Sequence, residues 1–108
     1  MLSPNQPAKF IPLHYKDNII RVHKHTDLGN VWFVLSDICK VLKLTNPSYI
    51  SHKISADNKH AHKLLDHNHK TSALWVSYNG LVQVFDTLVD GEYLAPFWYW
   101  CRRVSLSY

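Results

Sequence analysis

Two His-x-His pairs, His60/His62 and His67/His69, stand close together with Asp57 and Asp66 beside them. Imidazole nitrogens and carboxylate oxygens are zinc donors, and four of them on one short segment would make a closed site. Several features count against that reading. His-x-His is not among the strong metal spacings and no Cys joins the group, while Lys59, Lys63 and Lys70 interleave with it and repel a cation. The competing reading is a solvated loop that gains positive charge as pH falls toward 6. No cofactor or metal is expected, and His60, His62, His67 and His69 remain the only ligand candidates.

Covalent and acid–base chemistry find little material. Cys39 and Cys101 lie far apart, each in an apolar, helical context, and read as reduced, buried small hydrophobes rather than as nucleophiles or a disulfide. The carboxylates are few and form no acid/base pair that spacing reveals. Asp37 and Asp86 are explained as a helix-start residue and a solvated helix face. With 3 Gly in the chain there is no room for a phosphate-cradling loop. An enzyme is not expected.

Binding surfaces are better represented. Phe97-Trp98-Tyr99-Trp100 is a run of four aromatics, and successive residues on a helix point about 100° apart, so one core face cannot take them all. Phe97, Trp100 and Val104 share a stripe and should face inward. Trp98 and Tyr99 then point elsewhere, as does one of the pair Arg102 and Arg103. Exposed Trp, Tyr and Arg are the residue types of interface hot spots, so these four are the expected partner surface, with Tyr93 and Tyr108 behind them. A homo-oligomer would satisfy such a surface as well as a foreign partner. A second candidate is basic: Lys40, Lys43 and Lys53 with Lys59 and Lys63 would serve nucleic acid. That stretch has no Arg for base edges, and the net charge of +4 is scattered rather than clustered.

The elements that must position these residues follow from composition and period. A chain of 108 residues, 46% apolar and 19% charged, makes one domain that buries roughly two-thirds of its unfolded surface. No apolar run reaches the ~18 residues of a membrane span, and the N-terminus has no secretory pattern, so a cytoplasmic location is expected. Residues 1–8 read as a flexible arm and 9–108 as the domain. Phe10-Ile11-Pro12-Leu13 is an edge strand because of Pro12. Residues 18–23 and 31–34 form a hairpin around the turn Asp27-Leu28-Gly29-Asn30. Ser36 is placed to cap a helix over 37–44, and Asn46 with Pro47 starts a second, whose apolar stripe is Tyr49, Ile50 and Ile54. Residues 55–72 read as a long loop with at most a short strand around Leu64-Leu65. A strand at 73–76, a helix capped by Ser77 with Leu81, Val84, Phe85 and Leu88 inward, a break at Asp90-Gly91 and a last helix over 92–105 complete the chain. The expected core is Trp32, Phe33, Ile38, Leu42, Leu81, Phe85, Phe97 and Trp100. The fold class is α+β: a small, largely antiparallel sheet packed with three to four helices.

The segment Trp32-Phe33-Val34-Leu35-Ser36-Asp37-Ile38-Cys39, continuing through Val41-Leu42-Lys43-Leu44-Thr45-Asn46, resembles the signature of the Bro N-terminal domain. Val76-Ser77-Tyr78-Asn79-Gly80-Leu81 matches its second box, and Phe97-x-x-Trp100 its final helix, so the likeness spans roughly residues 10–107. Tyr78 stands where the family has Glu, Lys70-Thr71-Ser72 replaces a Gly-Gly segment, and no Pro follows Leu106. The resemblance implies a domain of bacteriophages and large DNA viruses, and one without an attached effector domain resembles the small phage antirepressors. These bind a prophage repressor non-covalently, prevent its operator binding and so induce the prophage, in the cytoplasm of the host bacterial cell. Insect-virus members are associated instead with DNA binding, so the resemblance implies transcription regulation by either route.

Overall fold

The computed structural model describes residues 10–24, 31–66, 69–88 and 94–107, with the side chains of 24, 64–66 and 69–71 left aside. The expected N-terminal arm, the turn at 27–30 and the break at Asp90-Gly91 lie outside the described residues. Five strands, β1 (Ile11–Tyr15), β2 (Asn18–Lys24), β3 (Val31–Val34), β4 (Lys59–Asp66) and β5 (His69–Ser77), form one antiparallel sheet in the order β1-β2-β3-β5-β4. The described helices are α1 (Leu35–Leu42), α2 (Pro47–Ser51), α3 (Tyr78–Phe85) and α4 (Leu94–Ser107), with a 3₁₀ turn at Ala56–Asn58. The α+β reading holds. None of these helices is long and apolar enough to cross a membrane.

β3 is the central strand, and its position explains its composition. Strands covered on both faces lose the apolar/polar alternation of a half-exposed strand, and Val31, Trp32, Phe33 and Val34 are all buried. Phe33 pairs with Val22 on one side and Val76 on the other. These three join Ile20, Ile38, Leu42, Leu81, Phe85, Phe97 and Cys101 in the main core against the helices. Trp32, Val34 and Trp75 form a smaller cluster of their own, with Phe10 and Ala73 packed on it. Trp32 is therefore a core residue as expected, but it belongs to the second cluster. β1 is an edge strand, as Pro12 requires.

The largest correction concerns 55–72. From Lys59 on its described residues are not a loop: β4 and β5 form a long antiparallel pair running from Lys59↔Val76 to Asp66↔His69. β4 is the outer strand of the sheet, so its alternate positions carry Lys, His and Ala where an inner strand would carry an apolar face.

α1 also begins differently. β3 runs straight into it, with Val34 as the extended N-cap residue and no side-chain cap hydrogen bond, so Ser36 lies inside the first turn and is exposed. Starting at Leu35 places that residue in the core. Asp37 is not a cap but a buried ion-pair partner of Arg21. α1 ends at Lys43, which adopts the left-handed conformation at φ 58°. α2 begins as expected, with Asn46 Oδ1 accepting the Tyr49 N–H and Pro47 in the first turn. Ile50 and Ile54 are buried, whereas Tyr49 is exposed rather than part of the inward stripe.

Candidate protein-binding face on the last helix

α4 buries Leu94, Phe97, Cys101 and Val104. Each Cβ on this line follows the last by three or four residues, which keeps the row on one helix face. The expected stripe included Trp100; Cys101 takes its place, and Trp100 is half-buried, edge-on to Tyr15 at 5.3 Å and stacked on Phe97 at 5.9 Å. Cys39 and Cys101 are both free and buried. Burial pushes the Cys39 thiol up to about 11 and raises Cys101 further still.

Trp98 departs from its expected exposure. Its ring lies 5.0 Å from Phe85, and its Nε1–H donates to the Tyr78 hydroxyl at 2.9 Å, so it fastens α4 to the start of α3. Tyr99 is 61% exposed and behaves as expected. Arg102 and Arg103 are exposed as well, with the Arg103 guanidinium 5.9 Å from the Tyr99 ring centre. Leu106, not anticipated as a surface residue, is 76% exposed and lies two helical turns beyond Tyr99 on the same line. Its seven-residue spacing from Tyr99, opposite Phe97 and Val104, is the signal that would have found it. Tyr93 and Tyr108 lie outside the described residues.

The basic candidates do not gather at one point. Lys40 and Lys43 are exposed at the end of α1. Lys53 is exposed beyond α2, and its Nζ sits 5.0 Å over the Tyr49 ring. Lys59 is spoken for: its Nζ donates to the Ser51 carbonyl at 2.6 Å and ties β4 to the end of α2. Lys63 is exposed on the outer strand.

The histidine pairs are reshaped by the hairpin. His60 and His62 alternate onto the same side of β4, with ring centres 6.4 Å apart. His60 is edge-on to Trp32 at 4.6 Å, His23 approaches Trp75 at 5.9 Å, and the Trp75 Nε1–H donates to the His62 carbonyl. His67 and the side chain of His69 fall outside the described residues. Among the described residues no three His, Cys, Asp or Glu side chains come together as a metal-binding group. A cavity of about 300 Å³ lies between α1, α2 and β5, lined by Arg21, Ser36, Ser48, Ser51 and Ser72 among others. A second, of about 270 Å³, is bordered by Trp32, Asp57, Asn58, Ser77 and Tyr78.

The start of α3 is tightly locked. Ser77 Oγ accepts the Gly80 N–H at 3.2 Å and reaches Asn58 Oδ1 at 3.2 Å, while Gln83 accepts the Ser55 N–H and donates to the Ser55 hydroxyl. These contacts bind the 3₁₀ turn to α3 and hold the seat on which Tyr78 receives Trp98. The exposed face of α4 is thereby presented on a braced helix.

No curated protein and no solved structure matches the chain. Residues 20–89, more than half of the chain, match the BRO family, N-terminal domain, and they include both sequence boxes and the strands and helices that carry them. The chain belongs to the BRO family through this N-terminal domain.

Proposed function

We propose that this domain is a non-enzymatic transcription regulator of the antirepressor type, which binds a phage repressor protein non-covalently and keeps it from its operator. The observation that carries the reading is the outer face of α4, where Tyr99 and Leu106 stand exposed beside Arg102 and Arg103. A large apolar side chain held in water by a rigid helix gains free energy when a partner covers it, and Tyr with Arg is the pairing that dominates such contacts.

Direct DNA binding is the second reading, supported by the α1–α2 corner. Lys40, Lys43 and Lys53 are exposed on this part of the chain, Lys53 over the Tyr49 ring, while Asp37, the one carboxylate of these two helices, is buried. Salt separates the two readings, because phosphate contacts weaken steeply as salt rises and an aromatic-centred protein contact does not. The test is a gel-shift titration on a phage operator, with and without its repressor, at two salt concentrations. An antirepressor releases the repressor from DNA at both salts and does not shift the operator alone. A chain that shifts the operator by itself and leaves the repressor–operator complex intact overturns the reading.

A further inference from the structure

We infer that the outer face of α4 is built to receive an acidic amphipathic helix of another protein, not a second copy of this chain. The inference rests on the reading above in taking α4 as the contact face, and it specifies the chemistry of the partner.

The placement follows from the helix period. Leu94, Phe97, Cys101 and Val104 are buried, so the line directly opposite runs through Ala95, Tyr99 and Leu106, all of them exposed. Arg102 flanks this line on one side and Arg103 on the other, since each is displaced from it by a fraction of a turn in opposite directions. Tyr99 and Leu106 stand seven residues apart, one heptad of a helix–helix seam. The result is a narrow apolar ridge with a guanidinium on each shoulder.

Charge decides the occupant. From Leu94 to Ser107 the helix carries two arginines and no carboxylate. Two copies of α4 packed ridge to ridge would bring four guanidinium groups together at a desolvating seam, with no carboxylate between Leu94 and Ser107 of either copy to offset them. A helix presenting Leu-type residues over Tyr99 and Leu106 and Asp or Glu on both flanks meets every group with its complement. Arginine's planar fork pairs with such carboxylates two bonds at a time. Self-association is disfavoured by the same charges that favour the acidic partner, which is how a binding face gains specificity.

The experiment uses the full chain and three synthetic amphipathic helical peptides that share one Leu seam and differ only on the flanks, carrying all Glu, all Gln or all Lys. Fluorescence anisotropy should rank them Glu, then Gln, then Lys, with a gap of about tenfold between the first two. Arg102→Glu/Arg103→Glu, checked for folding by circular dichroism, should reverse the ranking. Lys40→Glu/Lys53→Glu, which alters net charge equally but elsewhere, should preserve it. Tyr99→Ala should weaken the Glu peptide about tenfold. Equal affinity for all three peptides, a ranking that survives in the arginine double variant, or a wild-type dimer in sedimentation that Tyr99→Ala dissociates each overturns the proposal. Loss of peptide selectivity in a chain that still releases repressor from DNA sinks the helix proposal alone. Selectivity without release sinks the antirepressor reading and leaves the helix proposal standing.

Discussion

The Asp37 carboxylate holds Arg21 from three directions. Oδ2 accepts the Arg21 backbone N–H at 2.9 Å and its Nε–H at 2.8 Å, and Oδ1 accepts Nη2–H at 2.8 Å. The β2–β3 ladder begins at Val22↔Phe33, so Arg21 lies one residue past its end, level with Val34, the last residue of β3 and the N-cap of α1. The carboxylate from the first turn of α1 takes the place that a strand carbonyl would have had. One side chain thus closes the ladder, neutralises a guanidinium and fixes the angle at which α1 leaves the sheet.

Asp37→Asn should therefore cost about 2–3 kcal/mol in urea unfolding, somewhat under the ~3–5 kcal/mol of a fully buried pair because the Arg21 side chain keeps solvent contact. Asp37 itself is 3% exposed and Arg21 21%. A double-mutant cycle with Arg21→Met should show strong coupling between the two positions. A cost below about 0.5 kcal/mol would mean that the pair is not what orients α1.

Trp98 is a packing residue at the root of the proposed contact face. Trp98→Ala should lower stability by about 3 kcal/mol, seen as a clear drop in Tm, because it empties a site against Phe85. Tyr78→Phe removes only the acceptor for the indole N–H and should cost about 1 kcal/mol. An unchanged melting curve for Trp98→Ala would return that residue to the surface role first assigned to it.

Much of the architecture was legible in residue order, and the reasons are local. Asn46-Pro47 and Ser77 are start signals whose meaning does not depend on the rest of the fold, and both operate as read. Asp37 stands in the first turn of α1 as read, but its pairing with Arg21, sixteen positions away, is one that no spacing rule connects. Trp98 was misread for the same reason: only tertiary structure supplies Tyr78 and Phe85. The β4–β5 hairpin was hidden because an outer strand facing water on one edge dilutes its apolar contrast with Lys59 and Lys63. Tyr99 is exposed as read, since its position depends on helix period alone, and Arg102 and Arg103 are both exposed where the period asked this of one.

Gly80 is fixed by crowding. A Cβ there would meet Val76 Cγ1 at 2.6 Å and the Asn58 carbonyl oxygen at 2.9 Å. Alanine normally gains about 1 kcal/mol over glycine inside a helix. Here the collision with backbone outweighs that gain, and Gly80→Ala should lose about 1–3 kcal/mol by chemical denaturation. A stabilised variant would show that the 3₁₀ turn gives way easily.

The thiols predict alkaline weakness. An unfolded cysteine loses its proton near pH 8.5, whereas burial holds Cys39 protonated to about 11 and Cys101 beyond that. The folded state therefore binds more protons between those limits. The stabilisation is complete below about pH 8.5 and is lost as pH rises toward the folded values, at up to about 1.4 kcal/mol per pH unit for each thiol. Cys39→Ala/Cys101→Ala should flatten that alkaline slope in urea titrations. At pH 8 the native thiols should react with a disulfide reagent about a hundredfold more slowly than the unfolded chain.

The sheet order also governs the sequence of folding events. β1, β2 and β3 follow one another as neighbours, and β4 and β5 form their own hairpin, so both ladders close short loops at small entropic cost. The seam between them, Trp32↔Ser77, Phe33↔Val76 and Val34↔Trp75, joins segments with α1, α2 and all of β4 in between. It is the pairing of highest contact order in the sheet and the one expected to form last. Truncating Val76 should accordingly speed unfolding more than it slows folding, and the rate at which the two halves of the sheet zip together sets how quickly a newly made chain presents α4 on its finished support.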